Sequence, residues 1–161
     1  MNPYLAEVVG TALLILFGNG VVANAVLAKS KGNGAGWISI TAGWAFAVAI
    51  AVFAVGRVSG GHLNPAVTIA LASTGGFAWS LVPGYILAQM AGAIIGAVLV
   101  YLAYLAHWEP TPDQSGKLAC FCSEPAVLKF GPAFITVFIG TAVLLFGVLA
   151  FGRVVAGAPT E

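Results

Sequence analysis

Charge is the scarcest commodity in this sequence. Only 7% of its 161 residues are Asp, Glu, Lys or Arg, where soluble domains carry about 25%. A chain this poor in charge and 60% hydrophobic cannot clothe a globular surface in polar groups, so lipid is its expected solvent. The net charge of +1 leaves no electrostatic footprint for nucleic acid or an acidic partner. The apolar stretches hold no paired carboxylates, no metal-spaced histidines and no nucleophile beside a base, and His62 and His107 stand far apart in polar stretches. An intramembrane enzyme, a metal site and a bound cofactor are therefore not expected. A nucleotide-binding motif is also missing, which argues against an active pump. The two cysteines, Cys120 and Cys122, share one polar loop. A C-x-C pair is a weak metal signal and neighbours this close seldom bridge, so they read as loop thiols.

What the sequence has in quantity is long apolar runs. Four are long enough to cross about 30 Å of hydrocarbon, which takes about 20 residues. They run from about Tyr4 to Leu27, Trp37 to Val55, Leu81 to Ala106 and Pro132 to Phe151. The first lacks a basic leader and carries Glu7 early, so it reads as a true span rather than a signal peptide. Residues 1–161 read as a single transmembrane domain. The connections are polar and rich in turn residues, with Lys29 to Gly36 and His107 to Lys117 as the main aqueous loops. Glycines inside the spans, Gly92 and Gly96 among them, indicate close helix approach in a tight bundle.

Two patterns carry more than composition. The first is an internal repeat: Glu7 to Gly18 (EVVGTALLILFG) aligns in register with Val137 to Val148 (VFIGTAVLLFGV). Three spans separate the two starts, an odd number of crossings, so the copies are expected to run antiparallel as an inverted repeat. The second is SGGHLNPAVTIAL, from Ser59 to Leu71, within a re-entrant segment expected over about residues 57–73. Gly60 and Gly61 permit non-helical backbone. Asn64 is a strong N-cap residue, Pro65 suits the first helical position, and Ala66 onward supplies about two turns of helix. The segment reads as a loop that dips into the membrane and starts a half-helix at Asn64, with its positive dipole end facing the interior. A plain loop followed by an interfacial helix is the competing reading.

SGGHLNPAVTIAL resembles the first Asn-Pro-Ala loop of the aquaporin family, the major intrinsic proteins. AEVVGT at the first span, AQMAGA (Ala88 to Ala93) in the third and FIGTAVLLFGVLA in the fourth resemble the same family, and HW…KLACF resembles its bacterial glycerol-facilitator branch. The resemblance covers essentially the whole chain. It implies an all-α membrane protein, an aquaporin-like bundle of inverted repeats that passes glycerol, other small uncharged solutes and water. It also implies a multi-pass protein of the cell membrane, with cytoplasmic termini and homotetrameric assembly. Asn64, Pro65 and Ala66 would belong to the pore, with Asn64 donating hydrogen bonds to passing solutes, and carbonyls beside His62 would line the path. Trp44, with Val48 one turn on, would form an apolar wall for a polyol's carbons; a tryptophan there also suits an interfacial anchor. Glu7 and Gln89 would brace the pore loop, although Glu7 also suits a headgroup position at the helix start. The family has six spans and two such half-helices. This sequence ends soon after its fourth span, with one Asn-Pro-Ala loop, so the expected bundle is truncated. A non-conducting fragment or subunit is the alternative functional reading.

Overall fold

The computed structural model describes residues 1–155, with side chains through Ala150. The first helix, α1, spans Pro3–Val26. Asn2 caps it by accepting the Tyr4 N–H at 2.8 Å, and Pro3 occupies the first turn, where a missing N–H costs nothing. At 24 residues it extends about 36 Å, enough to cross a bilayer. The second helix, α2, spans Gly36–Ser59. Its end was expected at Val55, but the helix runs on to Ser59. The stop is Gly60, whose φ of 86° closes the last turn with its N–H on the Gly56 carbonyl at 2.9 Å. Arg57 therefore sits in the last helical turn, where its charge opposes the negative dipole end.

A short non-helical passage from Gly60 to Asn64 leads into α3, Pro65–Ser73. Nine residues make about 14 Å of helix, half of what a crossing needs. A 3-10 turn at Trp79–Leu81 turns the chain into α4, Val82–Ala103. The third span was expected to reach Ala106, but it stops at Ala103 because Tyr104 (φ −106°, ψ 19°) leaves the helical region. The polar connection holds two short helices, α5 at Leu105–Trp108 and α6 at Gln114–Ala119, the latter capped by Asp113. The last helix, α7, spans Phe130–Val155. The C-terminus, whose expected side is the cytoplasm, lies outside the described residues. Four helices are long and apolar enough to cross a membrane, and no strand occurs among the described residues.

Helix α1 is the centre of the packing. It lies along α2 on one side and α4 on the other, while α3 rests on α4 and α7. The close approach is made by small residues. A Cβ at Gly92 would land on the carbonyl of Val8 and 3.0 Å from Cβ of Thr11, and one at Gly96 would lie 2.6 Å from the Ala12 carbonyl oxygen. One apolar cluster joins Ala6, Ala51, Val55 and Leu63, and so fixes the loop before α3 to both α1 and α2. A second joins Ala23, Leu27, Val100 and Cys120 at the other end of the bundle. There the polar connection is tied down: Ala28 donates its N–H to Thr111 at 2.8 Å, and its carbonyl lies 2.9 Å from His107 Nδ1. Both cysteines are free, but their settings differ. Cys122 is exposed, whereas burial pushes the Cys120 thiol up to about 11.

Candidate pore site

The site begins with a carboxylate. Glu7 is fully buried on α1, where an ion without partners would be costly. Four donors converge on it. Ser59 Oγ donates to Oε1 at 2.6 Å and the His62 N–H at 3.1 Å; the Leu63 N–H donates to Oε2 at 2.8 Å and Gln89 Nε2 at 2.7 Å. All are donors, so the group acts purely as an acceptor. They come from the end of α2, the loop and α4, so one side chain fixes three segments.

That grip decides where the loop's carbonyls face. In a trans peptide the C=O lies opposite the N–H of the next residue. With the His62 and Leu63 N–H groups turned to Glu7, the carbonyls of Gly61 and His62 turn away from it. Leu63 completes the turn at φ 52°, a left-handed conformation uncommon for a non-glycine residue. The His62 side chain is held as well. Its Nδ1 lies 3.1 Å from Thr68 Oγ1, and its ring packs against Phe77 and Tyr85 at centroid distances of 4.7 and 4.9 Å. Thr68 also takes the second amide proton of Gln89 at 2.9 Å, and Tyr85 donates to the Ser59 carbonyl at 2.9 Å.

Asn64 then starts the half-helix. Its Oδ1 accepts the Ala66 N–H at 2.8 Å, which orients the amide and leaves Nδ2 outside that bond. Pro65 and Ala66 build the first turn. Gly61, His62 and Asn64 border a cavity of about 590 Å³ whose other walls include Leu14 of α1, Val48 and Val52 of α2, and Leu144 and Val148 of α7. Gly61, His62 and Asn64 thus form part of the loop side of the cavity, facing aliphatic walls. Leu14 and Leu144 occupy matching positions of the internal repeat, and both face this cavity.

Pro65 and Ala66 are not among the residues that line the cavity; the other expected residues divide into three groups. His62, Asn64 and Val48 meet at the cavity. Glu7 and Gln89 stand behind the loop and hold it. Trp44 does not border the cavity. It lies one helical turn beyond Val48, half-buried, with its ring against Gly18 of α1. Ser59, Leu63, Thr68 and Tyr85 escaped the sequence reading. The only signal for Thr68 was its place four residues after Asn64, one turn along the half-helix.

Residues 1–155 match the family described as Major intrinsic protein. The chain belongs to the major intrinsic protein family. Members of this family are membrane channels, and the four long apolar helices make this chain a membrane protein with them. It is 60% identical over 152 residues to a probable glycerol uptake facilitator protein of Thermotoga maritima, covering 94% of this chain and 65% of the relative. Glycerol uptake facilitator proteins of Bacillus subtilis and Streptococcus pneumoniae are 51% and 48% identical over 152 residues, again 94% of this chain, and 56% and 65% of their own lengths. The chain thus spans less than two thirds of these major intrinsic proteins.

Proposed function

We propose that this chain builds one half of a passive pore for glycerol and other small uncharged solutes, with water following. The carrying observation is the cavity edge at Gly61, His62 and Asn64, opposite the aliphatic wall of Val48, Val52 and Leu14. Two carbonyl acceptors and one amide donor suit a row of hydroxyls, which both donate and accept. The aliphatic wall suits the carbon backbone that a polyol turns the other way. The positive end of α3 at Asn64 disfavours cations there. Glu7 and Gln89 act as the brace that keeps the carbonyls turned inward. Trp44 extends the apolar wall by one turn. The names of the three relatives support glycerol as the solute. We place the protein in the cell membrane with both termini in the cytoplasm, assembled as a homo-oligomer, a tetramer by resemblance to the family. No catalytic step and no cofactor enter this reading.

A second reading concerns the 161-residue polypeptide by itself. Among the described residues one half-helix points its N-terminus into the cavity. A polar helix end without a polar counterpart does not make a continuous path through hydrocarbon. The isolated polypeptide is then a non-conducting subunit.

The test is stopped-flow light scattering on proteoliposomes. The 161-residue polypeptide is compared with the same polypeptide joined to the remainder of the Thermotoga maritima relative. Glycerol flux in the joined form, absent in the polypeptide alone, is the expected result. A joined form that folds but passes no glycerol refutes the pore reading. A sodium or proton current in parallel electrical recordings refutes the uncharged-solute class.

A further inference from the structure

Resting on the reading of Trp44 as part of the solute wall, we propose that Gly18 sets the depth of the Trp44 ring and is thereby a specificity-determining position. The geometry begins at the cavity, where Leu14 of α1 and Val48 of α2 face each other as lining residues. One turn along the groove between these helices, four residues on from Leu14 and four back from Val48, stand Gly18 and Trp44. The internal repeat supports the same direction for Gly18. Its counterpart in the second copy is Val148, and Val148 lines the cavity.

The contact itself is tight. A Cβ built on Gly18 would lie 2.5 Å from Cε3 and 2.6 Å from Cη2 of the Trp44 ring, and against Cζ3 between them. Three carbons of the benzo ring therefore rest where any other residue would put its first carbon. The ring lies flat into α1 only because that carbon is missing. With alanine at position 18 the ring must retreat from α1 by about 1 Å to regain ordinary van der Waals contact. Trp44 is half-buried, so its ring has room to retreat out of the groove, and on the wall reading it retreats into the space through which solutes would pass. A bulky polyol is affected before water is. Gly18 touches no solute on this account; it is a positioning residue that acts through Trp44.

The neighbouring Gly43 supplies the control. It lies in the same α1–α2 interface, but a Cβ there would meet Val21, at 2.7 Å from Cγ1, rather than the tryptophan. Gly18→Ala, Gly43→Ala and Trp44→Ala, singly and with the 18/44 pair combined, are compared in the joined form for glycerol and water permeability. Gly18→Ala is expected to lower the glycerol-to-water ratio by about tenfold, the range in which one methyl group discriminates in an apolar pocket. Gly43→Ala should leave the ratio unchanged, and Gly18→Ala should have no further effect once Trp44 is alanine. Equal effects of Gly18→Ala and Gly43→Ala would refute the proposal, because loosened helix packing would then explain both. If Gly18→Ala does not fold, thermal unfolding of the 161-residue chain decides. Recovery of the fold by Gly18→Ala combined with Trp44→Phe supports the contact, and failure to recover overturns it. The underlying wall reading fails separately: Trp44→Ala would then leave the wild-type ratio in place. A changed ratio in Trp44→Ala beside a silent Gly18→Ala removes only the role of Gly18.

Discussion

Gln89 Nε2 lies 2.7 Å from Glu7 Oε2 and 2.9 Å from Thr68 Oγ1, so one amide joins α4 to both α1 and the half-helix. Both of its protons are committed, and each goes to an atom that has other work. Glu7 holds the loop backbone, and Thr68 holds His62. The orientation of the carbonyls at the cavity thus depends on side chains that never reach it.

Replacing that acceptor is the first prediction. Glu7→Gln substitutes an NH2 for one of the carboxylate oxygens that now accept two bonds each. At least one backbone N–H at His62 or Leu63 then loses its partner. The expected destabilisation is about 3 kcal/mol. It should be read as a lower thermal midpoint in detergent, beside a Glu109→Gln control in the polar connection. A Glu7→Gln midpoint equal to the control would show that the four donors do not depend on the charge.

Trp44 and Trp79 should differ in function. Trp79 is 58% exposed in the turn before α4, away from the groove that Trp44 extends. In the joined form, Trp44→Ala is expected to shift the glycerol-to-water permeability ratio by about tenfold, and Trp79→Ala to leave it within a factor of about two. Equal shifts would count against the wall.

The glycines of the bundle should separate by what faces them. Gly92→Ala places a methyl group on the Val8 backbone, which cannot yield without moving α1 from α4. A loss of about 1–3 kcal/mol is expected. A Cβ at Gly20 meets nothing within 4 Å, so Gly20→Ala should stabilise α1 by up to about 1 kcal/mol. Thermal unfolding of both variants checks the pair, and the signs should be opposite.

The two thiols should react at different rates. Cys122 is exposed and Cys120 is 1% exposed, with burial raising its pKa to about 11. The thiolate is the reactive form. Maleimide should therefore modify Cys122 first at neutral pH, and labelling of Cys120 should climb about tenfold per pH unit until pH nears its raised pKa. The same burial favours the neutral thiol in the folded state. The stability it contributes is complete below the ordinary thiol range and is lost as pH rises through the raised value. Mass spectrometry of labelled peptides reads the order.

Local chemistry explains what the sequence disclosed. Asn64 and Pro65 announce a helix start because capping is settled within three residues, and the structure has Asn64 Oδ1 on the Ala66 N–H. The apolar runs announce the long helices because crossing length and composition are local too. Their ends were less legible. Arg57 fell within the segment read as re-entrant loop, yet the geometry of Gly60 decides where α2 stops. The contacts of the site were largely hidden. Nothing near Tyr85 in sequence says that its hydroxyl meets the Ser59 carbonyl, and nothing near Gly18 says that a tryptophan ring lies on it. Such pairings exist only once α1, α2 and α4 have been brought side by side. The uneven fate of the cysteines was hidden for the same reason: Cys120 is buried by residues of α1 and α4, far from it in the chain.

The position of Glu7 also has a consequence in time. Its partners Ser59, His62 and Leu63 follow it by 52, 55 and 56 residues, and Gln89 by 82. At about 5–20 residues per second, a ribosome makes Gln89 on the order of 4–16 s after Glu7. Three of its four donors are made 52 to 56 residues after it, but until Gln89 is made the first helix carries an acid whose set of donors is incomplete. The set of donors is complete only once the fourth helix in the chain has joined the first.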